Sequence, residues 1–505
     1  KPDFAGAYNN MGDVYKEEEK FDDAIACFRQ AIAFDPNLAE AYNNLGNAYQ
    51  RQEQYELAIT NYRQAVQIKP DYDDVYNNLG LALHSVGQFP QAIECFERLI
   101  ELQPDSAPAR NYKGLSLSDL GRYEEAIASF HQALALDPKS ASAYNNLGDT
   151  QQKNQQIDAA IASYLQAIAI DPKTAEAHNN LGNSYQDLNQ YDTAIKHYRQ
   201  ALAIEPDFHG AYSNMLFCVN YHPDYSSEEL YDYYKEYEER FARPLYKEWQ
   251  AHTNNRDPER RLKVGYVSPS LYNHSSRHFI EPLLAHHDHS RFEIYAYAQY
   301  ARADDATARY QSYVDHWIPT RGMSYAALAE RIRSDGIDIL IDVTGHTGEN
   351  RLLVFARKPA PVSLHWLDFG YTTGLTAIDY YLTDAPTAPP GSDAYFAEKL
   401  WRLPTPAYAY RPIKDIGEVG ELPASRKGHI TFGTLTRSVR INYKLIRAWS
   451  EILKAVPGSH LIINSGNFKS EAMQERMAKQ FMAHGIERAR LEIGHQSPPW
   501  DVLRN

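Results

Sequence analysis

No apolar run in this chain approaches the length needed to cross a bilayer, and no basic, then apolar, then small-residue segment stands at its start. Cysteine is scarce. Cys27, Cys95 and Cys218 lie far apart on apolar helical faces, which gives no support to a disulfide framework or a thiolate metal site and suits buried residues in a reducing compartment. Runs of Lys and Arg are missing too: with 51 basic against 65 acidic residues the formal net charge is -14, which argues against nucleic acid as the main partner. The glycine-rich stretches have neither the G-x-G-x-x-G spacing of dinucleotide folds nor the G-x-x-x-x-G-K-[ST] spacing of nucleoside triphosphatases. Asp304-Asp305, at a polar helical start, reads as a solvated face, so no metal site is expected. These absences predict a cytoplasmic protein with no membrane partner.

The first part of the chain has a rhythm. Proline recurs every 34 residues, at Pro36, Pro70, Pro104, Pro138, Pro172 and Pro206. Between the prolines the same residue types return: Tyr8, Gly12, Tyr15, Ala24, Phe28 and Ala31, then Tyr42, Gly46, Tyr49, Ala58, Tyr62 and Ala65. This period and pattern are those of the tetratricopeptide repeat, a helix pair that cannot bury its apolar face alone and must stack on its neighbours. Residues 1–210 are therefore expected to form an α-solenoid, which also offers a surface for homo-oligomerisation. The fourth unit lacks the aromatic expected near Arg110 and carries Tyr112 where other units have Asn, which predicts a local change in the groove lining.

After Pro206 the pattern fades. Ala211-Tyr212-Ser213-Asn214 opens a seventh unit, Asn220-Tyr221-His222-Pro223-Asp224 breaks the helix, and Ser226-x-x-Glu229 offers a capping box for a new one running to about Trp249. From Arg261 short apolar runs alternate with helical stretches: Lys263 to Ser268, Phe292 to Tyr297, Ile337 to Asp342 and Val362 to Trp366, then Ile430 to Gly433, His460 to Ile463 and Leu491 to Ile493. Strands alternating with helices imply parallel sheets, here two Rossmann-like lobes separated by a proline-rich linker. The expected boundaries are 1–210 for the solenoid, 211–258 for a helical connector, 259–412 for the first lobe, 413–427 for the linker and 428–505 for the second lobe.

Parallel sheets bind ligands at the carboxyl ends of their strands. Three polar loops fall there: Pro269 to His278, Asp342-Val343-Thr344-Gly345-His346-Thr347-Gly348, and Trp366 to Gly374. A histidine on such a loop serves as a general base or bonds a phosphate, and three loops converging on one edge favour that role over simple capping.

The combination resembles the family of O-linked N-acetylglucosamine transferases and SPINDLY, in which tetratricopeptide repeats precede a two-lobed GT-B catalytic region. The resemblance rests on Arg261-Leu262-Lys263-Val264-Gly265-Tyr266-Val267-Ser268, Asn273-His274-x-x-x-His278, Asp342-x-Thr344-Gly345-His346-Thr347 with Asn350-Arg351, Pro359-Ala360-Pro361-Val362, Asp379-Tyr380-x-x-Thr383-Asp384 and Thr431-Phe432-Gly433. Gly-His-Thr is closer to bacterial and SPINDLY-like members than to animal transferases. The resemblance implies an inverting, metal-independent transfer of a sugar from a nucleotide donor, without a cofactor, to Ser or Thr of a protein. By the same resemblance His274 is the active-site histidine, His278 and His346 line its cleft, and Asp335 matches a carboxylate proposed for proton transfer.

In the second lobe the family pattern Phe-Asn-[Asn/Gln]-x-x-Lys is replaced by Leu435-Thr436-Arg437-Ser438-Val439-Arg440. Arg440 stands where a lysine touches the donor pyrophosphate and keeps its charge with a different geometry. With Arg437, Thr436, His278, Gly345 and Thr347 it makes up the implied donor site. Near Trp366, Asp368 and Gly370 replace the family's Gly and Pro. Lys1-Pro2-Asp3 looks like the tail of a repeat, and Arg504-Asn505 falls inside a helical pattern, so the second lobe is expected to be incomplete and the fragment inactive.

Asn10, Asn44, Asn78, Asn146 and Asn180 recur at one register and would form a ladder of amides able to hold an extended peptide whatever its side chains. Three readings stay open: transfer of N-acetylglucosamine from UDP-N-acetylglucosamine to recruited proteins, transfer of fucose from GDP-fucose as in SPINDLY, and a non-catalytic scaffold with a degenerate lobe.

Overall fold

The computed structural model describes residues 4–257, 259–299, 303–367, 369–412 and 421–495. Lys1-Pro2-Asp3, Asp368, residues 413–420 of the expected linker and Arg504-Asn505 lie outside them. Six antiparallel helix pairs come first: α1 (Phe4–Glu17) and α2 (Phe21–Phe34), α3 (Ala39–Arg51) and α4 (Tyr55–Ile68), α5 (Asp73–Ser85) and α6 (Phe89–Leu102), α7 (Ala107–Asp119) and α8 (Tyr123–Leu136), α9 (Ala141–Lys153) and α10 (Ile157–Ile170), α11 (Ala175–Asp187) and α12 (Tyr191–Ile204).

The pairs close tightly because the first helix carries glycine where the second carries an aromatic ring. A Cβ at Gly12 would stand 2.5 Å from Phe28, and one at Gly46 2.5 Å from Tyr62, so only glycine lets the helices approach. Both rings are fully buried, and each such burial stabilises by about 1.5–3 kcal/mol. The turn inside each pair needs a left-handed residue, and it recurs with the repeat at Glu19, Glu53, Gly87, Gly121, Gln155 and Asn189.

Two compact units follow from the contacts. One runs to Gln151 and takes in Pro319–Ser324. Within it, Arg321 lies 5.3 Å above the Phe89 ring, and the Ser324 amide donates to Glu53 Oε2 at 3.1 Å. The other unit begins at Gln152 and holds the remaining repeats and both sheets.

In the second unit α13 (His209–Tyr221) continues the repeat pattern and α14 (Ser227–Tyr237) starts on the expected capping box of Ser226 and Glu229. A π-helical turn (Glu238–Ala242) and a 3-10 turn (Arg243–Glu248) interrupt the long helix expected there. The first sheet is formed by β1 (Leu262–Ser268), β2 (Phe292–Ala298), β3 (His316–Pro319), β4 (Ile339–Asp342), β5 (Val362–His365), β6 (Tyr380–Asp384) and β7 (Lys399–Leu403). Its order is β3-β2-β1-β4-β5-β6-β7, with β1 parallel to both β2 and β4. The helices α15 (Arg277–Leu284), α16 (Asp305–Ser312), α17 (Tyr325–Asp335) and α18 (Leu352–Phe355) connect these strands. Of the linker, Pro423–Lys427 forms the short helix α19. The second sheet, β10-β9-β8, is parallel: β8 (Thr431–Leu435), β9 (His460–Asn464) and β10 (Leu491–Gly494) alternate with α20 (Tyr443–Ala455) and α21 (Glu471–Ala483). One apolar core runs from α11 and α12 through α13 and α14 to the first sheet, joining Tyr198, Tyr212, Tyr234 and Leu340. The solenoid and the parallel lobes together make the repeat-plus-GT-B architecture. No described helix is long and apolar enough to cross a membrane.

Candidate active site

In a doubly wound sheet the strand order reverses at one point, and the crevice at the carboxyl ends there takes ligands. Here that point lies between β1 and β4. The loops leaving these strands are the His274 loop and the Gly345-His346 loop.

The His274 loop is pinned at its base. Asp304, the N-cap of α16, accepts from the Asn273 amide at 2.8 Å, so it is a buttress of the site rather than the solvated face expected from the sequence. Burial works against the Asp304 charge, yet backbone hydrogen bonds hold its pKa below the ordinary carboxyl value. His274 is half-buried, its Nδ1 2.8 Å from Ser276 Oγ and accepting from the Ser276 amide. With Nδ1 accepting, the neutral ring carries its proton on Nε2 and presents an N–H donor. His278, in the first turn of α15, accepts from the Arg411 amide through its carbonyl at 2.7 Å, and its Nδ1 lies 3.2 Å from the Arg411 carbonyl.

The loop after β4 is held by a buried acid and base: Asp342, a motif residue, and His365, a strand residue to which the sequence assigns no role. Asp342 Oδ2 accepts from the Gly345 amide at 2.8 Å and from His365 Nδ1 at 2.6 Å. Burial disfavours charge on His365, but the Asp342 contact raises its pKa above the usual imidazole value. Gly345 has a φ of +57° and packs so closely that a Cβ would stand 2.4 Å from Phe369. Thr347 donates its hydroxyl to the Thr344 carbonyl at 3.0 Å.

His346 is fully enclosed. Its Nε2 donates to the Thr373 carbonyl at 2.7 Å, so Nδ1 accepts from the Ser213 hydroxyl of α13 at 3.1 Å. Burial pushes its pKa down to about 4, and Tyr234, Tyr237 and Phe369 surround the ring. Thr373 is in turn fixed by Glu398, a buried carboxyl whose pKa burial raises and which accepts from the Thr373 amide at 2.7 Å. With both nitrogens bonded inside the protein, His346 ties the sheet edge to the solenoid; this geometry gives it no proton to exchange with a substrate.

Asp335 stands apart from these groups. It ends α17, before the amino end of β4, whereas the histidine loops leave the carboxyl ends of the parallel strands. Its carboxylate accepts from Tyr297 at 2.8 Å and from Arg331 at 2.9 Å. The expected role in proton transfer is thus corrected: a carboxylate at the opposite edge of the sheet, engaged by an arginine and a tyrosine, braces α17.

The clearest convergence is a polar cavity of about 260 Å³. Asn183, Asp187, Asn214 and Phe217 line it from the repeats and α13, His346, Thr347 and Gly348 from the loop after β4, and Arg437 from the second lobe. Burial raises the Asp187 carboxyl above its ordinary value, although Gln152 donates to it at 3.0 Å and Arg437 lies nearby. Asp187 had no signal in the sequence beyond its place at the end of a repeat helix. Arg437 and Arg440 follow β8, with Thr436 before them, and lie over the rings of Phe217 at 5.5 Å and Tyr221 at 5.8 Å.

The repeating asparagines have partners. Asn44 donates to Asn9 and Asp13, Asn78 to Asn43 and Asn47, and Asn146 to Asn111, each at 3.2 Å and each to the preceding unit. Asn180 accepts from Asn179 at 3.0 Å, and Asn10 is exposed on α1. In the fourth unit Tyr112 stacks on Phe96, and the series is interrupted. The ladder therefore spends amide hydrogens on joining repeats.

Residues 242–409 match the profile of glycosyl transferase family 41, and profiles of the tetratricopeptide repeat match 12–53, 46–87, 74–106, 95–128, 114–155, 153–189 and 175–208. The chain is 35% identical over 284 residues to a probable UDP-N-acetylglucosamine–peptide N-acetylglucosaminyltransferase SPINDLY of Petunia hybrida, a match that takes in 55% of this chain and 30% of that protein. It is 37% identical over 152 residues to the UDP-N-acetylglucosamine–peptide N-acetylglucosaminyltransferase of Caenorhabditis elegans, 28% of this chain and 13% of that one. A solved structure of a mutant O-GlcNAc transferase of Thermobaculum terrenum superposes with a TM-score of 0.72 at 30% identity, over 79% of this chain and 76% of that one. The matched region spans less than a third of the length of these curated relatives.

Proposed function

Since the chain belongs to the tetratricopeptide glycosyltransferases of family 41, we propose that it transfers a sugar from a nucleotide donor, UDP-N-acetylglucosamine first, to Ser or Thr hydroxyls of polypeptides in the repeat groove. The observation that carries this reading is the shared cavity, lined together by polar residues of the last repeats, the loop at the switch point and Arg437. It supports an acceptor chain arriving at the donor.

In the proposed reaction the acceptor oxygen attacks the anomeric carbon with inversion as the bond to the nucleoside diphosphate breaks; the hydroxyl proton ends in solvent or on the departing phosphate. His274 offers an Nε2–H to the oxygens around the reacting carbon, an orienting and charge-stabilising role. Arg437 and Arg440 offer guanidinium groups to the leaving diphosphate, whose charge grows in the transition state. The reaction is proposed to need no metal and to run in the cytoplasm, a placement that the three free, buried thiols support.

The test is transfer to an acceptor protein by the full-length protein, with UDP-N-acetylglucosamine and GDP-fucose in parallel and EDTA in both. Activity with the UDP sugar that survives EDTA is the expected result. Fucose transfer alone would move the chain to a SPINDLY-like fucosyltransferase, and transfer of neither would leave the scaffold reading.

A further inference from the structure

The arginine loop after β8 is held from outside its own lobe. Its 3-10 turn, Ser438–Arg440, opens between β8 and α20. The Val439 carbonyl accepts a buried hydrogen bond from the Tyr191 hydroxyl at 2.8 Å, and the Ile441 carbonyl accepts from Asn189 Nδ2 at 3.1 Å. Arg440 sits between these two anchored carbonyls. Tyr191 opens α12, and Asn189 occupies the left-handed turn before it, with a φ of 59°, a conformation asparagine tolerates better than most residues. The guanidinium groups are held as well, Arg437 over Phe217 and Arg440 over Tyr221, both rings on α13. A guanidinium held against a ring by a cation–π contact can still donate N–H groups to an anion.

A phosphate-binding loop fixed before the ligand arrives avoids the ordering cost of binding. The acceptor cavity is close in sequence: Asp187, which lines it, is followed at once by the turn that carries Asn189 and Tyr191.

We propose that Tyr191 and Asn189, together with the rings of Phe217 and Tyr221, are positioning residues for the donor diphosphate, so that the last repeats of the solenoid set donor affinity. This rests on the donor reading above and goes beyond it in making the protein-binding arm part of the nucleotide site.

The test is Tyr191→Phe, which keeps the ring and deletes the hydroxyl, with Phe217→Leu beside it. Titration of the full-length protein with UDP and with GDP gives Kd, initial rates give acceptor KM, and thermal melting reports folding. The expected result is a Kd for the bound nucleotide about 5-fold higher in Tyr191→Phe, the size of one lost buried hydrogen bond, with acceptor KM unchanged. Phe217→Leu is expected to raise the same Kd about 3-fold through loss of the cation–π contact. A Kd equal to wild type in both variants overturns the proposal even if melting falls, because that is the mark of a purely structural contact. Donor and acceptor constants shifting together in Tyr191→Phe, a change at a residue that does not line the acceptor cavity, overturn it too. Wild-type protein that binds neither nucleotide overturns the donor reading and this inference with it.

Discussion

The early repeats and the last ones share a 34-residue unit and the asparagine bonds that join its copies, but they touch different loops. In the early units Asn44 and Asn78 bond to the repeat before them, and Glu53 and Phe89 engage Ser324 and Arg321 of the loop after β3. In the last units Asn214 bonds Asn179 in the same way at 2.9 Å, while Ser213 bonds His346, Asn189 bonds the Ile441 carbonyl, and Tyr191 bonds the Val439 carbonyl. The helices are the same length in both regions, and the glycine-on-aromatic joint recurs at Gly182 and Tyr198. The same unit that stacks in the early repeats thus reaches the loops after β4 and β8 through a few side chains, without a change of fold.

The strongest way to break this contrast is His274→Ala. Transfer is expected to fall at least about 100-fold, as for loss of a positioned hydrogen-bonding or proton-transferring imidazole, with little change in melting temperature. Full transfer by the variant would remove the β1 loop from the chemistry.

Acid should separate the regions next. The His346 ring protonates near its ordinary 6.5 when unfolded but only near 4 when folded. Between those values the unfolded chain binds more protons, so stability falls as pH falls, by about 2 kcal/mol at pH 5 from this ring. His197 is held down to about 4 as well and acts in the same direction. Segment-resolved hydrogen exchange at pH 7 and pH 5 should show protection lost in α13 and around residues 343–348 before α2 to α5; the reverse order would contradict the contrast. In denaturant titrations His346→Gln should lose less stability than wild type over this pH step.

The smallest expected effects sharpen the comparison within the ladder itself. Asn44→Ala should cost about 1 kcal/mol of stability, the loss of bonds to Asn9 and Asp13, while changing acceptor KM less than about 2-fold. Asn214→Ala, at the cavity, should raise acceptor KM about 5-fold. Equal effects on KM would mean that the whole groove grips the acceptor evenly.

Much of the architecture was legible before folding. The glycine and aromatic positions announce the helix pairs, and the apolar runs ending at Ser268 and Asp342 put two polar loops at the carboxyl ends of β1 and β4. The strands β3, β6 and β7 were not singled out, because short runs such as Lys399–Leu403, with charged and exposed residues, give a weak alternation signal. Within the site, motif residues were visible and their partners were not. Asp304 looked like a surface acid until it capped α16 and held Asn273. Asp335 looked like a base until its place at the other edge was known.

The amino-acid order settles the 34-residue solenoid and the parallel lobes, because burial on one helical face or strand depends on residues only a few positions apart. Folding settles which polar groups act and which merely hold. His346 is spent on Ser213, 133 residues away, and Tyr191 reaches the arginine loop across 248 residues. Contacts at such separations leave no periodic trace in the chain, and whether a histidine can exchange a proton depends on what surrounds it once water is gone.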